Sequence, residues 1–380
     1  MRIALNLLYL IPRIVRGTET YAVSLIKAFK KADSVNHYYI FLNLESSRLN
    51  LPTSTNFHYV ICPFYAKYRP IRYAWEQFVL PWQIRKNKID IVHSLGYVGL
   101  LFPPCPSVVT IHDTNFYELK NIISPTRRFF LKFFVKHSAR HSTHIITISN
   151  FSKNQIINYL NIKPNQITSI HSGPGKYIGK IKNIEWNYLA SCYQIKKPFI
   201  VSFCSSSPHK NISRLISAFA SLYSEFPHNL VLIGNSSPMN GLKRQIANLG
   251  LENRVNFIGY VPDGHVLPIL ASADLFVFPS WYEGFGLPIL EAQKAGVPVV
   301  CSIAASLPEI AGNGAILFNP FSIEEMVKTI RSCLENNDLR KFLVKKGYEN
   351  VARFLWEKTA LETHEIYKSV YENVKKNRLA

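Results

Sequence analysis

A chain of 380 residues with 47% hydrophobic side chains is long enough for two domains with packed cores, and none of its apolar runs is long enough to cross a bilayer. Its net charge of +20 is lopsided, because residues 1–190 carry 24 Lys and Arg against 8 Asp and Glu while residues 191–380 carry 20 against 16. Such a basic half attracts anionic lipid, nucleic acid or phosphorylated substrates without choosing among them, and six scattered cysteines with no Cys-x-x-Cys pair point to a reducing compartment, all six thiols being expected as buried small hydrophobes.

The opening MRIALNLLYLIPR reads as a buried first strand and not as a signal peptide, since Asn6 breaks the apolar stretch and no small-residue cleavage site follows. Short apolar segments rich in β-branched residues then recur: RIALNLL, HYYIFL, FHYVI, IDIVHS, SVVTIH, HIITIS and ITSI. They have the pattern of strands buried on both faces. Helical patterns such as TYAVSLIKAFKK and YAWEQFVLPWQIRK lie between them. After residue 196 the alternation restarts with PFIVSFC, NLVLIG, RVNFIG, DLFVFPS, VPVVCS and GAILF. NISRLISAFASLY places Ile212, Leu215, Ile216, Phe219 and Leu222 on one helix face.

Two successive alternating units predict two doubly wound α/β, Rossmann-like domains with parallel sheets, over residues 1–172 and 198–355. The stretch 173–197, rich in Gly, Lys and turn residues, reads as a linker. The tail, RFLWEKTALETHEIYKSVYENVKK, reads as one long helix that returns to the first domain over about residues 356–380.

Ligands of such sheets bind beyond the carboxyl ends of the strands, so the loops there hold the candidates. They are the RGTETY loop with Gly17, His112 and Asp113 after SVVTI, and His209, Lys210 and the N-cap candidate Asn211 after PFIVSFC; SWYEGFGLPILE follows DLFVFP. In EGFGLPILE, Pro288 suits the first turn of a helix predicted from Leu287 to Ala295, with Gly296 as its stop. Gly284 and Gly286 allow a tight turn. The amides of Phe285, Gly286 and Leu287 would then face outward at the positive end of the helix dipole, an arrangement suited to a diphosphate. Glu291, one turn into the helix, suits a ribose diol, and Glu283 suits sugar hydroxyls. Lys210 would add a point charge for the same diphosphate. A phosphate-binding turn flanked by two hydroxyl acceptors has the layout of a nucleotide-sugar site.

The combined pattern resembles the retaining glycosyltransferases of family 4, which have the two-domain GT-B fold. The resemblance is carried by TETY near the start, VVTIHD at 108–113, HIITISNFSK at 144–153, PHKNISRLISAF at 208–219 and VNFIGYVP at 255–262. It continues with PSWYEGFGLPILEAQKAGVPVV at 279–300, SLPEIAG at 306–312 and Trp356 before the last helix. It implies two sheets facing across a cleft and a hexosyltransferase that retains anomeric configuration. It implies that Glu283 contacts the donor sugar, residues 284–287 hold the diphosphate, Glu291 holds the ribose and Lys210 neutralises the leaving group. Backbone at Val261 would meet the base, His112 would lie beside the donor sugar, and Gly17 would let its loop approach the phosphate. Two departures stand out: Arg16 replaces the first of a glycine pair, and SSSPHK offers serines and His209 where an arginine is common.

No Asp-x-Asp motif occurs, so neither metal nor other cofactor is expected. The expected partners are a nucleoside-diphosphate sugar, with UDP-glucose favoured over GDP-mannose, and a glycan or lipid-linked saccharide acceptor of surface polysaccharide synthesis. FYAKYRPIRYAWEQFVLPWQIRKNK and RRFFLKFFVKHSAR mix aromatic with basic residues, which fits a cytoplasmic enzyme peripheral to the anionic inner face of the plasma membrane. The alternatives are a sugar-nucleotide epimerase of the same architecture, which needs no acceptor, and a nucleic-acid-binding protein, for which only charge speaks. Phosphate-loop and nicotinamide motifs are missing, GPGKYIG at 173–179 lacking the spacing and the following helix. Glu309 and His209 remain open between donor contact and loop structure, and Asp113 between binding and a turn cap.

Overall fold

Each strand expected from the sequence is present in the computed structural model, which describes residues 1–12, 14, 16–119, 123–175, 184–234 and 240–379. The first seven are β1 (Arg2–Asn6), β2 (His37–Leu42), β3 (Phe57–Ile61), β4 (Ile91–Ser94), β5 (Ser107–Thr110), β6 (His144–Thr147) and β7 (Ile167–Ser169). The next six are β8 (Phe199–Cys204), β9 (Asn229–Gly234), β10 (Val255–Gly259), β11 (Leu275–Phe278), β12 (Val299–Ser302) and β13 (Ala315–Phe318). They form two sheets of parallel neighbours, ordered β3-β2-β1-β4-β5-β6-β7 and β10-β9-β8-β11-β12-β13. The order reverses beside β1 in the first sheet and beside β8 in the second, so each sheet has a switch point, between β1 and β4 and between β8 and β11.

The continuous apolar runs follow from burial on both faces. In the second sheet Phe199, Val201, Phe276 and Phe278 enter one core. Their neighbours Ile200, Leu275 and Val277 enter the other, as a side-chain period of two requires. The helix Ile212–Ala220 supplies the predicted face, with Ile212, Leu215, Ile216 and Phe219 buried.

The chain divides into two compact units, Met1–Gly173 with Leu355–Ala380, and Pro174–Phe354. The return helix is Trp356–Leu379, and its Tyr367 is fully buried in the first unit. There the tyrosine hydroxyl is 2.6 Å from His93 Nδ1, and Thr359 Oγ1 donates to the His171 carbonyl at 2.7 Å. The helix begins at Trp356, as expected.

Four sequence expectations need correction. The 173–197 stretch is not only a linker, because Trp186–Tyr193 is a helix whose Leu189 is buried in the second core; residues 176–183 lie outside the described residues. Cys192, on that helix, is exposed, while Cys62, Cys301 and Cys333 are buried and Cys105 and Cys204 half-buried. YAWEQFVLPWQIRK is interrupted by a π-helical turn, Trp75–Val79, in which the Leu80 amide reaches back to the Trp75 carbonyl. Pro81 follows and has no amide to continue the normal ladder there. Gly17 lies in the first turn of the helix Arg16–Ala32 and not in a loop, and a Cβ on it would meet nothing within 4 Å.

A buried polar network fixes the helix Leu287–Ala295. Asn350 Nδ2 donates to Gln293 Oε1 and to the Ile310 carbonyl, both at 2.8 Å, and Gln293 Nε2 donates to the Ala311 carbonyl at 2.9 Å. Asn350→Ala strands two acceptors away from water, and is expected to destabilise the chain by about 2 kcal/mol in urea unfolding. An unchanged midpoint would mean the network carries no stability.

Candidate functional site

The loops after β8 and β11 leave the switch point of the second sheet side by side. The first is closed by a tight turn, Pro208–Lys210, and by Asn211 at φ 60°. Asn211 stands at the N-cap position of the following helix, as expected, but its side chain does not cap it. Nδ2 donates instead to the carbonyls of Pro279 at 3.1 Å and Pro320 at 2.7 Å. One asparagine thus ties together the loops that follow β8, β11 and β13. The Trp281 amide adds a bond to the His209 carbonyl at 3.0 Å. The His209 ring is held below its ordinary pKa, mainly by burial.

These ties place Lys210 Nζ 2.5 Å from Glu283 Oε1, with both side chains mostly buried. The turn after Glu283 needs its second glycine: Gly286 has φ 113°, and a Cβ there would lie 2.8 Å from Leu307 Cδ2. Gly284 is buried beside it. Phe285 packs inward, edge-on to Phe354 with centroids 5.9 Å apart, and so anchors the turn. The buried Ser306 hydroxyl lies 2.8 Å from the Glu283 carbonyl and 2.7 Å from that of Phe285. The helix then runs from Leu287 to Ala295 with Pro in its first turn and Gly296 in the left-handed region at its end, as predicted. The helix start therefore comes four residues after a carboxylate paired with an ammonium, a set that can hold an anion and hydroxyl groups together.

Glu291 is 6% exposed. The chain passes so close that a Cβ on Gly175 would lie 1.8 Å from its Oε1. Burial, with Asp263 nearby, raises its pKa well above the ordinary carboxylate value. Val261, just beyond β10, has its side chain in the core. Glu309 is half-buried on the short helix Leu307–Ala311.

In the first unit, His112 follows β5 and is buried. Its Nε2 is 2.9 Å from the Leu95 carbonyl, an acceptor only, so Nε2 carries the proton and Nδ1 the lone pair. Burial lowers its pKa to about 4, and the ring is neutral at pH 7. Tyr21 meets it edge-on at 4.9 Å and Tyr97 lies 5.4 Å away. Asp113 accepts from the Asn115 amide at 3.1 Å, which makes it a turn cap. The structure thus brings Lys210, Glu283 and residues 284–287 into one place, with Glu291 and Val261 in the same unit, and puts His112 and Gly17 in the other. Asn211's loop-tying role and the Ser306 hydroxyl escaped sequence reasoning; the Asn directly after Lys210 was the one visible signal.

Residues 15–173 match the family described as Glycosyltransferase Family 4, and residues 193–350 match Glycosyl transferases group 1. The chain is 30% identical to O-antigen chain mannosyltransferase B of Escherichia coli over 76% of each protein. It is 27% identical to MMP alpha-(1->4)-mannosyltransferase of Mycolicibacterium hassiacum, over 76% of this chain and 73% of that one. The solved sucrose-phosphate synthase of Thermosynechococcus elongatus superposes with a TM-score of 0.77 at 18% identity, covering 98% of this chain and all of that one, a likeness of fold.

The folded protein holds the Glu291 proton to a higher pH than the unfolded chain does. The stability this lends is present below the ordinary carboxylate range and is lost as pH rises through the raised pKa. Glu291→Gln is therefore expected to leave the melting temperature unchanged near pH 4 and to raise it at pH 8. A variant less stable than the wild type at pH 8 would contradict a carboxyl destabilised by burial.

Proposed function

Since the chain belongs to glycosyltransferase family 4, we propose that it moves a hexose, with retention, from a nucleoside-diphosphate sugar to a saccharide acceptor in surface polysaccharide synthesis. The observation that carries this reading is the Lys210–Glu283 pair at 2.5 Å, set against the start of the Leu287–Ala295 helix at a sheet switch point. Charge grows on the leaving diphosphate as the glycosidic bond breaks. Lys210 and the amides of 284–287 oppose that charge, and Glu283 accepts from the sugar hydroxyls. Glu291 receives the ribose diol, and the backbone at Val261 borders the base. In the first unit His112, neutral and with Nε2 committed to Leu95, presents an Nδ1 acceptor and not a cation.

Mannose is supported over the glucose favoured from sequence by the activities of the two relatives, which makes GDP-mannose the preferred donor. The O-antigen relative likewise supports a polysaccharide acceptor. No metal takes part in this reading.

Among the described residues no helix is long and apolar enough to cross a membrane. The first unit nevertheless exposes Phe78 at 80%, Trp82 at 59% and Phe129 at 68% on helices that also bear Arg85, Lys86 and Lys132. Exposed aromatics among cations fit an anionic bilayer surface, and we assign this face to the cytoplasmic leaflet beside a lipid-linked acceptor.

Two measurements check the reading. The purified chain in EDTA is expected to consume GDP-mannose faster than UDP-glucose when given acceptor, with Lys210→Ala lowering kcat about a hundredfold. Failure to bind any nucleoside diphosphate would end the proposal, and turnover without acceptor would favour the epimerase. In flotation at low salt, the wild type is expected to rise with phosphatidylglycerol vesicles and Phe78→Ser/Phe129→Ser to stay behind; a wild type that ignores such vesicles removes the membrane contact.

A further inference from the structure

The switch point of the first sheet carries a second group of charges that the donor site does not use. Arg69 and Arg72 lie three residues apart on the helix Arg69–Ala74, on one face. The helix Pro125–His141 packs alongside, because Tyr73 stacks on Phe134 at 4.7 Å. Arg127 stands in its first turn. Arg128, next to it, is committed to the carbonyls of Phe116 and Tyr117. The groups that act on Arg127 are Arg69, Arg72, Tyr73 and Tyr97, none of them a carboxylate. Burial and the two arginines hold its guanidinium below the ordinary value.

The carboxylate facing Arg72 is Glu76, in the π-helical turn. Its Oε2 is 3.8 Å from Arg72 Nε, beyond hydrogen-bond reach, and both atoms are buried with no hydrogen-bond partner. Burial pushes Glu76 up to about 7, so near neutral pH it supplies only part of a negative charge. Three guanidinium groups therefore meet less than one counter-charge among the described residues, Arg72 mostly buried and Arg69 and Arg127 exposed. Asn6, the last residue of β1, opposes that rise and so lies beside the Glu76 carboxyl. Tyr97, beyond the end of β4, connects the cluster to His112 at 5.4 Å. The cluster thus borders the crevice where a parallel sheet takes its ligand.

We propose that Arg69, Arg72 and Arg127 form an anion site for a phosphate or diphosphate group on the acceptor, beside His112. The proposal rests on the glycosyltransferase reading and adds that the acceptor is phosphorylated. Guanidinium groups suit this ligand because each presents paired donors to phosphate oxygens. Bound there, the phosphate fixes the distance between the acceptor's anchor and its attacking hydroxyl.

The test is a calorimetric titration of pyrophosphate into the full chain saturated with its nucleoside diphosphate, so that the donor site is already filled. One pyrophosphate is expected to bind, and Arg72→Gln/Arg127→Gln to weaken it about tenfold or more with nucleoside-diphosphate affinity unchanged. Arg127 and Arg69 are exposed, so each single Gln variant keeps the test usable if the change at Arg72 unfolds the chain. Lys88→Gln, a charge removed elsewhere in the unit, is expected to shift binding less than twofold. A second arm compares neutral phosphatidylcholine vesicles carrying polyprenyl diphosphate with vesicles carrying phosphatidylglycerol at equal charge. The double variant is expected to lose the first and keep the second. Unchanged pyrophosphate affinity, an equal loss in Lys88→Gln, or an equal loss on both vesicles would overturn the site. A wild type that binds no nucleoside diphosphate at all would instead indict the donor reading.

Discussion

Parallel strands end in backbone carbonyls that no neighbouring strand takes up, and in this chain side chains close that gap. Asn211 binds two such carbonyls, from the loops after β11 and β13, while its own backbone turns through the left-handed region. Lys210 is held against Glu283 because Asn211 and the Trp281–His209 bond fix both loops. Ser306 does the same for the turn after Glu283, through a single hydroxyl. Polar residues with no part in chemistry thus decide where the charged ones stand.

Much of the fold was legible because its signals are local. Each of the thirteen strands among the described residues followed from apolar composition and length, and the Leu287–Ala295 helix followed from Pro288 and Gly296. The site residues of the second unit were legible as strand-end residues, but their pairing was not. Lys210 and Glu283 are 73 positions apart, and nothing in either loop announces the other. The helix Trp186–Tyr193 escaped because Gly and Lys nearby resemble a linker, although Leu189 packs fully into the core. The π-helical turn was hidden because the flanking periodicity is helical on both sides. Gly17 was misplaced by treating a glycine as a sign of a loop when a helix starts there. The donor sugar was not legible at all, since a hydroxyl's orientation leaves no pattern in a chain.

Burial of titratable groups recurs at both switch points. Glu291 in one unit, and Glu76 and His112 in the other, are all shifted toward their neutral forms by desolvation. A neutral buried group costs little in the free protein and is ready to accept from hydroxyl groups, whereas a permanently charged one would need a fixed counter-ion. Lys210 and Glu283 instead stand against each other as an ion pair.

The return helix has a consequence for how the chain is made. The first unit contains both ends of the sequence, and its core is finished by Tyr367, which meets His93 and lies 6.0 Å from Phe29. On the ribosome, residues 1–173 emerge with that slot open, and its filler is synthesised only after the whole of Pro174–Phe354. The later-born unit can therefore complete its own core first, and the earlier-born one must wait with apolar surface uncovered. The core of the first unit can thus close only after the second unit has been synthesised, with the helix Trp356–Leu379 as the closing piece.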